Sequence, residues 1–418
     1  MPWKKADAMS ERMKFIVEWE RRWNAAEGGR VEVAELCRAH GVSRQTGYVW
    51  IRRFQAACFD VRAMENRSRR PKRNPRAVSV EMQDFLVAAR KEYPTWGPVK
   101  LRAFLVNQHP RRVFPSASCI AAILRRRGLV VPRGRAKRTL ASTVSPPFPE
   151  CTAVNKVWCM DFKGWYRLGT AEKCYPFTLL DAFSRALLRC EGLLHPNGDQ
   201  VRRILESAFR EYGLPETLRS DGGTPFFAMR SPANLSSVGV WLLRLGITLE
   251  CIAPGKPQQN GRLERFHRTL KLTVPAQATL AEQQRRFDAF RAEYNQRRPH
   301  AALNNAPPAS VYRRSSRRFP TPLLSSGGSG DPLHHAQIDR LGWLRWRPYG
   351  RIFIGDAFRF EYLGLFPIKG PCWEVYFGAV CLGTIDADKQ TFTPRRRGKG
   401  PMRLSFLDGD NLHVKEHK

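Results

Sequence analysis

Three carboxylates stand where a fold could bring them to one metal site. Asp161 closes the apolar run 157–162, Asp221 follows the run 217–220, and Glu264 comes after a Pro/Gly-rich segment. Carboxylate oxygens suit Mg²⁺ or Mn²⁺, and two such ions about 4 Å apart can assist an in-line displacement. Any one of these acids alone is more often a helix cap or a salt-bridge partner. The metal hypothesis therefore depends on all three converging.

The segment around Glu264 is predicted to be a loop that leads into a helix. Prolines and glycines are frequent in 254–261 and absent from 262–271, so Glu264 falls in the first or second helical turn. At helical spacing Glu264 shares one side with residues suited to bind DNA: Asn260, His267, Arg268 and Lys271. Lys256 adds a charge in the loop. Ordinary charge pairs on an exposed helix are the alternative interpretation.

The elements that must position these acids alternate between strands and helices. Strands are predicted at 157–162, 175–181, 186–190, 217–220 and 247–252, and helices at 200–212, 241–245, 262–271 and 278–299. This order indicates a mixed α/β sheet with crossover connections. Reactive groups collect at strand ends and adjoining loops in such sheets, where Asp161 and Asp221 stand.

The charge of the chain points to a polyanionic partner. The net charge is +34, from 71 Lys+Arg against 37 Asp+Glu, and nucleic acid is the commonest partner of such a chain. Ribosome association and an anionic membrane surface are the alternatives. No apolar run approaches the roughly 18 residues needed to span a bilayer, and no signal peptide is expected. The 10 cysteines lack zinc-finger spacing and indicate reduced thiols in a cytoplasmic protein.

The segment 31–54 has the pattern of a helix-turn-helix. A short helix, the turn at Gly41 and the cap Ser43 precede a second helix, which is expected to be buried through Thr46 and Val49. That helix offers donors suited to base edges and phosphates in a major groove: Arg44, Gln45, Tyr48, Arg52 and Arg53. A helical hairpin packed in a core is the alternative.

A second helical region and a strand-rich region flank the α/β segment. Helices predicted at 80–93, 99–106 and 116–127 indicate a second helix-turn-helix. The arginine-rich segment 65–76 is predicted to be a flexible linker, which either follows phosphates or is simply solvated. Short strands between glycines, from Leu341 onwards, predict a small β-barrel followed by the basic tail 395–399. Oligomerisation and contact with the DNA backbone are both open for this barrel.

Several motifs, taken together and in order, resemble the DDE integrase core. They are Asn155-Lys-Val-Trp-Cys-Met-Asp161-Phe, Leu180-Asp-Ala-Phe-Ser-Arg185, Ser220-Asp221-Gly-Gly-Thr-Pro-Phe, Pro257-Gln-Gln-Asn-Gly-Arg-Leu-Glu264-Arg-Phe-His-Arg-Thr-Leu-Lys271 and Tyr294-Asn…Arg298-Pro-His300. The order of these segments is similar to that of bacterial insertion-sequence transposases of the retroviral-integrase superfamily. The similarity is to the branch whose transposases are encoded by a single reading frame. Unlike many members, the chain has Gly222 rather than Asn after the second Asp.

The resemblance implies a multidomain α/β fold. It would have N-terminal all-α helix-turn-helix domains, a ribonuclease-H-like integrase catalytic core and a C-terminal small β-barrel. The implied parts are a first helix-turn-helix domain (1–60), a basic linker (61–79), a second helical domain (80–130), a linker (131–150), the catalytic core (151–315), a linker (316–340) and the barrel with its tail (341–418). It also implies that Asp161, Asp221 and Glu264 bind two Mg²⁺ or Mn²⁺ ions as the catalytic triad, and that Arg268 and Lys271 contact terminal DNA.

The implied function is that of a transposase. It would bind the terminal inverted repeats of its element and catalyse metal-dependent DNA cleavage and strand transfer. Its partners would be element ends and target DNA, with a homo-oligomer on DNA, no membrane and no small-molecule substrate, in the bacterial cytoplasm at the nucleoid. A DNA-binding regulator with an inactive core and a nuclease without strand transfer are the alternatives.

Overall fold

The computed structural model describes residues 8–26, 31–66, 77–130, 151–320, 322–323, 334–347, 350–395 and 401–407. The chain divides into two compact units, Met1–Val78 and Ser79–Lys418. The predicted linker 131–150, most of the predicted linker 65–76 and residues 396–399 of the basic tail lie outside the described residues. None of the helices in the described ranges has the length and apolar character that crossing a bilayer demands.

The N-terminal unit contains three helices: α1 (Ala8–Ala25), α2 (Val33–Ala39) and α3 (Arg44–Gln55). Between α2 and α3, Gly41 has φ +63°, a left-handed conformation that glycine adopts without a side-chain clash. Ser43 Oγ accepts a hydrogen bond from the Thr46 backbone N–H at 3.2 Å and caps α3. The predicted helix, glycine turn and capped helix are therefore confirmed. The unit continues past residue 60, because Met64 is buried in its core.

The buried side of α3 differs from the expected one. Gly47, Ile51 and Phe54 face the core, whereas Val49 is 55% exposed and Thr46 is only half-buried. The buried residues are spaced by four and three positions, which is one stripe of a helix. The prediction from Val49 was wrong because a glycine in the stripe adds no apolar side chain to the pattern.

Gly47 permits the close approach of α3 to the other two helices. A Cβ at this position would overlap the Cys37 Sγ and stand 3.0 Å from Cζ of Phe15. We expect Gly47→Val to lower the free energy of unfolding of this unit by about 1–3 kcal/mol, because the core has no room for the added atoms. Hydrogen exchange of α1–α3 peptides in the full chain measures the change. The control Val49→Ala should change it by less than about 0.5 kcal/mol, and equal losses in both variants would refute the packing argument.

The second unit begins with three further helices, α4 (Val80–Glu92), α5 (Pro98–Gln108) and α6 (Ala117–Arg126), as predicted. They rest against the α/β region of the same unit. The Tyr93 hydroxyl accepts a hydrogen bond from Arg297 Nη1 at 3.1 Å, and the Arg298 guanidinium lies 5.8 Å from the centre of the Trp96 ring. This helical region is therefore anchored to the end of the α/β region rather than joined only by the chain.

The α/β region is a mixed seven-stranded sheet. Its elements are β1 (Val157–Phe162), β2 (Tyr166–Arg167), β3 (Lys173–Asp181), β4 (Leu187–Leu193), α7 (Gly198–Tyr212), β5 (Thr217–Ser220), α8 (Ser237–Arg244), β6 (Thr248–Cys251), α9 (Gly261–Thr273), α10 (Leu280–Gln296) and the short α11 (Pro308–Val311). The strands lie in the order β6-β5-β1-β3-β2, with β4 on β3, and the C-terminal strand β14 (Met402–Leu404) completes the sheet beside β6. The predicted alternation of strands and helices is confirmed, with the short β2 in addition.

The C-terminal region is strand-rich but not a closed barrel. Its strands are β7 (His334–Gln337), β8 (Trp343–Trp346), β9 (Gly350–Phe353), β10 (Tyr362–Pro367), β11 (Cys372–Phe377), β12 (Val380–Asp386), β13 (Thr391–Pro394) and β14 (Met402–Leu404). In the described residues they form an open five-stranded sheet, β13-β12-β11-β10-β7, and the hairpin β8-β9. The alternating pattern predicts strands, but closure of a barrel depends on whether the two edge strands pair with each other. The local sequence does not determine that pairing.

The last strand leaves the C-terminal sheet and joins the α/β sheet. Strand β14 pairs antiparallel with β6, with Met402 opposite Cys251 and Leu404 opposite Leu249. One apolar core runs through both sheets, so the C-terminal region that was predicted to be a small β-barrel packs together with the α/β sheet. A 3₁₀ turn at Asp356–Phe358 precedes β10, which begins at Tyr362.

Candidate active site

Two of the three acids are brought together by parallel strands. Strand β1 pairs parallel with β5, with Val157 opposite Thr217 and Cys159 opposite Arg219. The same register carried forward places Asp161 beside Asp221, just beyond the end of β5. Parallel pairing thus brings to one sheet edge two residues that are remote in the chain.

The Asp221 side chain organises the turn that follows it. Its Oδ1 accepts a hydrogen bond from the Gly223 backbone N–H at 3.2 Å. A Cβ on Gly223 would stand 3.3 Å from both carboxylate oxygens, and one on Gly222 would stand 3.3 Å from Cys251 Sγ. Glycines at these positions let the chain fold back closely around the carboxylate.

The third acid is presented by α9. The loop before this helix is held by the Ala253 N–H, which donates to Gln259 Oε1 at 2.8 Å. Leu263, Phe266 and Leu270 are buried, which leaves Glu264 exposed in the first turn as predicted. Asp161, Asp221 and Glu264 line one cleft of about 440 Å³, together with Gly222, Gly223, Met229, Ile252, Ala253, Pro254, Gly255, Lys256 and Asn260. The three acids singled out from the sequence therefore line the same cleft.

The environment of the cleft disfavours the ionised form of Asp161. Its pKa is raised to about 7, mainly by burial and in addition by the negative charges of Asp221 and Glu264. The Phe162 backbone N–H, which donates to Asp161 Oδ1 at 2.7 Å, and Lys163 act in the opposite direction. A site that disfavours its own negative charge in this way is stabilised by a cation.

We expect stability to fall as pH rises when no divalent ion is bound. Folded Asp161 has a pKa of about 7, whereas an unfolded aspartate titrates near 3.9, so the folded state binds more protons in between. The stabilisation is fully present below about pH 4 and is lost as pH rises towards 7. Asp161→Asn removes this dependence and should make the metal-free chain more stable than wild type at pH 8, by about 2–4 kcal/mol.

Thermal unfolding at pH 5 and pH 8 measures this difference. Other buried carboxyls titrate in both proteins, so the comparison between them isolates Asp161. Adding Mg²⁺ or Mn²⁺ at pH 8 should stabilise the wild type and leave the variant nearly unchanged, since a ligand stabilises only the state that binds it. Identical pH profiles for the two proteins would contradict the raised pKa.

His267 does not lie where the sequence placed it. The helical pattern assigned it to the DNA-facing side, but its side chain is 1% exposed. Its Nε2 is 2.8 Å from Thr178 Oγ1, and its Nδ1 is 3.9 Å from Asp161 Oδ2. Burial, with a further effect of Lys163, lowers the pKa of His267 to about 3. The assignment was wrong because residue 267 faces the sheet, between the buried Phe266 and the exposed Arg268.

The other predicted DNA contacts separate into exposed and buried groups. Lys256 is exposed and lines the cleft, and Arg268 and Lys271 are exposed on α9, about one and two turns after Glu264. Asn260 also lines the cleft but is only 5% exposed. In the N-terminal unit, the exposed predicted contacts are Arg44, Gln45, Tyr48 and Arg52. Arg53 is half-buried and donates to the Glu65 backbone carbonyl, so its guanidinium is already engaged.

Thr178 is a site residue that sequence reasoning missed. It lies opposite Asp161 in the antiparallel pairing of β1 with β3, and its Oγ1 donates to the Asp161 carbonyl at 3.0 Å. Its only sequence signal is a polar residue in an otherwise apolar strand, which a correct strand register would have placed next to Asp161. Thr178 thus fixes both Asp161 and His267.

The donor set fits a divalent cation. In the described part of the chain, ligand atoms of Asp161, Glu264 and His267 lie within 4.8 Å of one another. Asp221 lines the same cleft but is not in that closer group. Carboxylates supply the hard oxygen ligands that Mg²⁺ and Mn²⁺ take, and the raised pKa of Asp161 marks a charge that needs compensation.

Comparison with known proteins matches both parts of this arrangement. Residues 152–257 and 245–308 match two models of an integrase core domain, and residues 22–72 match a helix-turn-helix domain. An insertion element IS407 protein of Burkholderia multivorans is 33% identical over 38% of this chain and 55% of its own length. An insertion element IS476 protein of Xanthomonas euvesicatoria is 28% identical over 45% of this chain and 50% of its own length.

The chain spans about half the length of these curated relatives. Among solved structures, the HTLV-2 integrase catalytic core domain in complex with magnesium covers 39% of this chain and 100% of its own, with 13% identity and a TM-score of 0.31. The domain matches and the acidic cleft define a protein with an integrase-type, ribonuclease-H-like core and a helix-turn-helix unit. Over the matched segments the chain is similar to integrase core domains and to a helix-turn-helix domain, and the curated relatives it resembles are proteins of insertion elements.

Proposed function

We propose that this protein is a transposase that binds the terminal inverted repeats of its own element and cuts and joins DNA strands. The observation that carries the proposal is the convergence of Asp161, Asp221 and Glu264 in one cleft of a chain with a net charge of +34. Three carboxylates in one cleft would repel the phosphates of DNA unless bound cations neutralised their charge. A phosphoryl-transfer site gives them a use.

In this mechanism Asp161, Asp221 and Glu264 would hold the divalent ions, and two ions are expected in the complex with DNA. The ions would supply Lewis-acid stabilisation of charge on the phosphoryl oxygens. The chain itself positions the reacting strands. Lys256, which lines the cleft, and the exposed Arg268 and Lys271 of α9 would bind phosphates and hold the scissile bond against the acids.

The buried carboxyl provides a second contribution. Asp161 is held by Thr178 through its backbone and by the Phe162 N–H through its side chain, so its orientation is set before DNA arrives. A residue fixed in this way loses little entropy on binding, and the site is preorganised for charge stabilisation. No covalent enzyme intermediate is required.

The helix-turn-helix would supply recognition of the ends through the exposed face of α3. Arg44→Ala or Gln45→Ala should weaken binding to end DNA by about 1–3 kcal/mol and relax sequence preference, because each side chain is free to reach base edges. Arg53→Ala is the control, since its guanidinium donates to the Glu65 carbonyl and it should affect specificity little. Mobility-shift titrations at fixed salt with end DNA and shuffled DNA measure both effects, and a larger loss with Arg53→Ala would contradict this face.

We infer further that the protein acts as a homo-oligomer, because two element ends must be processed together. We place it in the bacterial cytoplasm at the nucleoid, with the element ends and target DNA as its partners and no small-molecule substrate.

The decisive experiment combines the full chain, labelled DNA from the flanks of its gene, a target plasmid and Mg²⁺ or Mn²⁺. We expect sequenced products in which the 3′ ends of the element are covalently joined to target. Nicked ends without junctions would identify a nuclease without strand transfer. Binding without either product would identify a DNA-binding regulator with an inactive core. Matched inverted repeats beside the gene would supply the substrate.

A further inference from the structure

A buried histidine lies directly behind the acids of the cleft. His267 is on α9, close to one turn after Glu264, and is 1% exposed. One ligand atom of each of Asp161, Glu264 and His267 lies within 4.8 Å of the other two. The three-acid mechanism gives this imidazole no role, so its position needs a separate explanation.

Hydrogen bonding at Thr178 determines which imidazole nitrogen carries the proton. The Thr178 hydroxyl has a single hydrogen, and it is donated to the Asp161 carbonyl at 3.0 Å. The contact of 2.8 Å between the same oxygen and His267 Nε2 therefore requires Nε2 to be the donor. A neutral imidazole has one N–H, so Nδ1 keeps a lone pair.

That lone pair faces another acceptor. Nδ1 is 3.9 Å from Asp161 Oδ2, which is too far for a hydrogen bond. Two metal–ligand bonds of about 2.0–2.2 Å each can span such a separation. One cation can therefore contact both atoms, whereas without a cation the ionised Asp161 carboxylate and the Nδ1 lone pair lie 3.9 Å apart in a partly buried place.

We propose that His267 Nδ1 is a ligand of the ion that Asp161 and Glu264 share. The site then has mixed nitrogen and oxygen ligands and prefers Mn²⁺, or a later first-row ion such as Co²⁺, to Mg²⁺. Imidazole favours these ions over Mg²⁺, and affinity rises along the first-row series. The proposal rests on the proposed function, because it assumes a metal-dependent cleft.

Pulsed electron paramagnetic resonance of the full, untagged chain with Mn²⁺ tests this directly. In protein labelled with ¹⁵N only at histidine, a coupled ¹⁵N signal on bound Mn²⁺ is expected. His267→Asn should remove the signal and weaken Mn²⁺ binding, measured by calorimetry, by about tenfold or more. Its effect on Mg²⁺ affinity should stay below about threefold, since Mg²⁺ gains little from a nitrogen ligand.

Asp161→Asn is the companion variant, which should lose Mn²⁺ binding at this site. If Mn²⁺ binds and Asp161→Asn abolishes that binding, but wild type shows no histidine coupling, the role of His267 is refuted and the proposed function stands. Coupling that persists in His267→Asn refutes it equally. If Asp161→Asn leaves Mn²⁺ binding unchanged, the metal cleft itself is refuted. The labelled wild-type measurement needs no substitution, so poor folding of a variant cannot obscure the answer.

Discussion

Glu264→Gln is expected to abolish DNA cleavage and strand transfer while the protein still binds element ends. The glutamate is exposed and lines the cleft, so its neutral isostere should fold normally. Loss of one anionic ligand weakens the hold on an ion that contributes several kcal/mol to the transition state. This corresponds to a rate reduction of about 10³-fold or more. Cleavage and joining of labelled ends, with binding measured in parallel, give the two quantities.

The matched control is Asp288→Asn, which removes one negative charge from an exposed position of α10 outside the cleft. It should retain cleavage and joining within about twofold, because exposed charges are strongly screened. End joining at the wild-type rate by Glu264→Gln would show that this glutamate is not a metal ligand. Equal losses in both variants would point to a general effect of charge on DNA binding.

Arg219→Met is expected to destabilise the α/β sheet strongly. Arg219 on β5 and Glu250 on β6 are 7% and 2% exposed and lie opposite each other in the parallel pairing. Two guanidinium nitrogens are each 2.8 Å from Glu250 Oε2. Removing the arginine leaves a buried carboxylate whose other cationic neighbour recorded among the described residues is Arg403, at 3.7 Å. We expect a cost of about 3–5 kcal/mol in the free energy of unfolding.

A double variant distinguishes the loss of the ion pair from the loss of side-chain packing at residue 219. Arg219→Met with Glu250→Leu removes both charges and should recover most of the stability, because apolar residues can replace a buried ion pair at little cost. Guanidinium chloride unfolding of wild type, both single variants and the double variant gives the coupling energy. A double variant no more stable than Arg219→Met would show that the loss comes from packing. Because β5 leads into Asp221, the single variant should also lower the cleavage rate.

Local signals in the sequence were sufficient for the elements that carry function. Gly41 and Ser43 predicted the turn and the cap of α3, and the change from Pro/Gly-rich loop to uninterrupted helix placed Glu264 in the first turn of α9. Asp161 and Asp221 were assigned to strand ends, where they are found. These features depend on backbone dihedral preferences and periodicity, which involve only neighbouring residues.

Contacts between distant segments were not available from the same signals. The sequence by itself determined the helix-turn-helix, the alternation of strands and helices, and the three acids as candidates. Only the tertiary structure decided that His267 turns inward to Thr178, that β14 completes the sheet beside β6, and that the C-terminal strands stay open. The physical reason is that side-chain burial and strand-edge pairing depend on which remote segments come together. Local conformational preferences are the same for many such pairings, so they do not select among them.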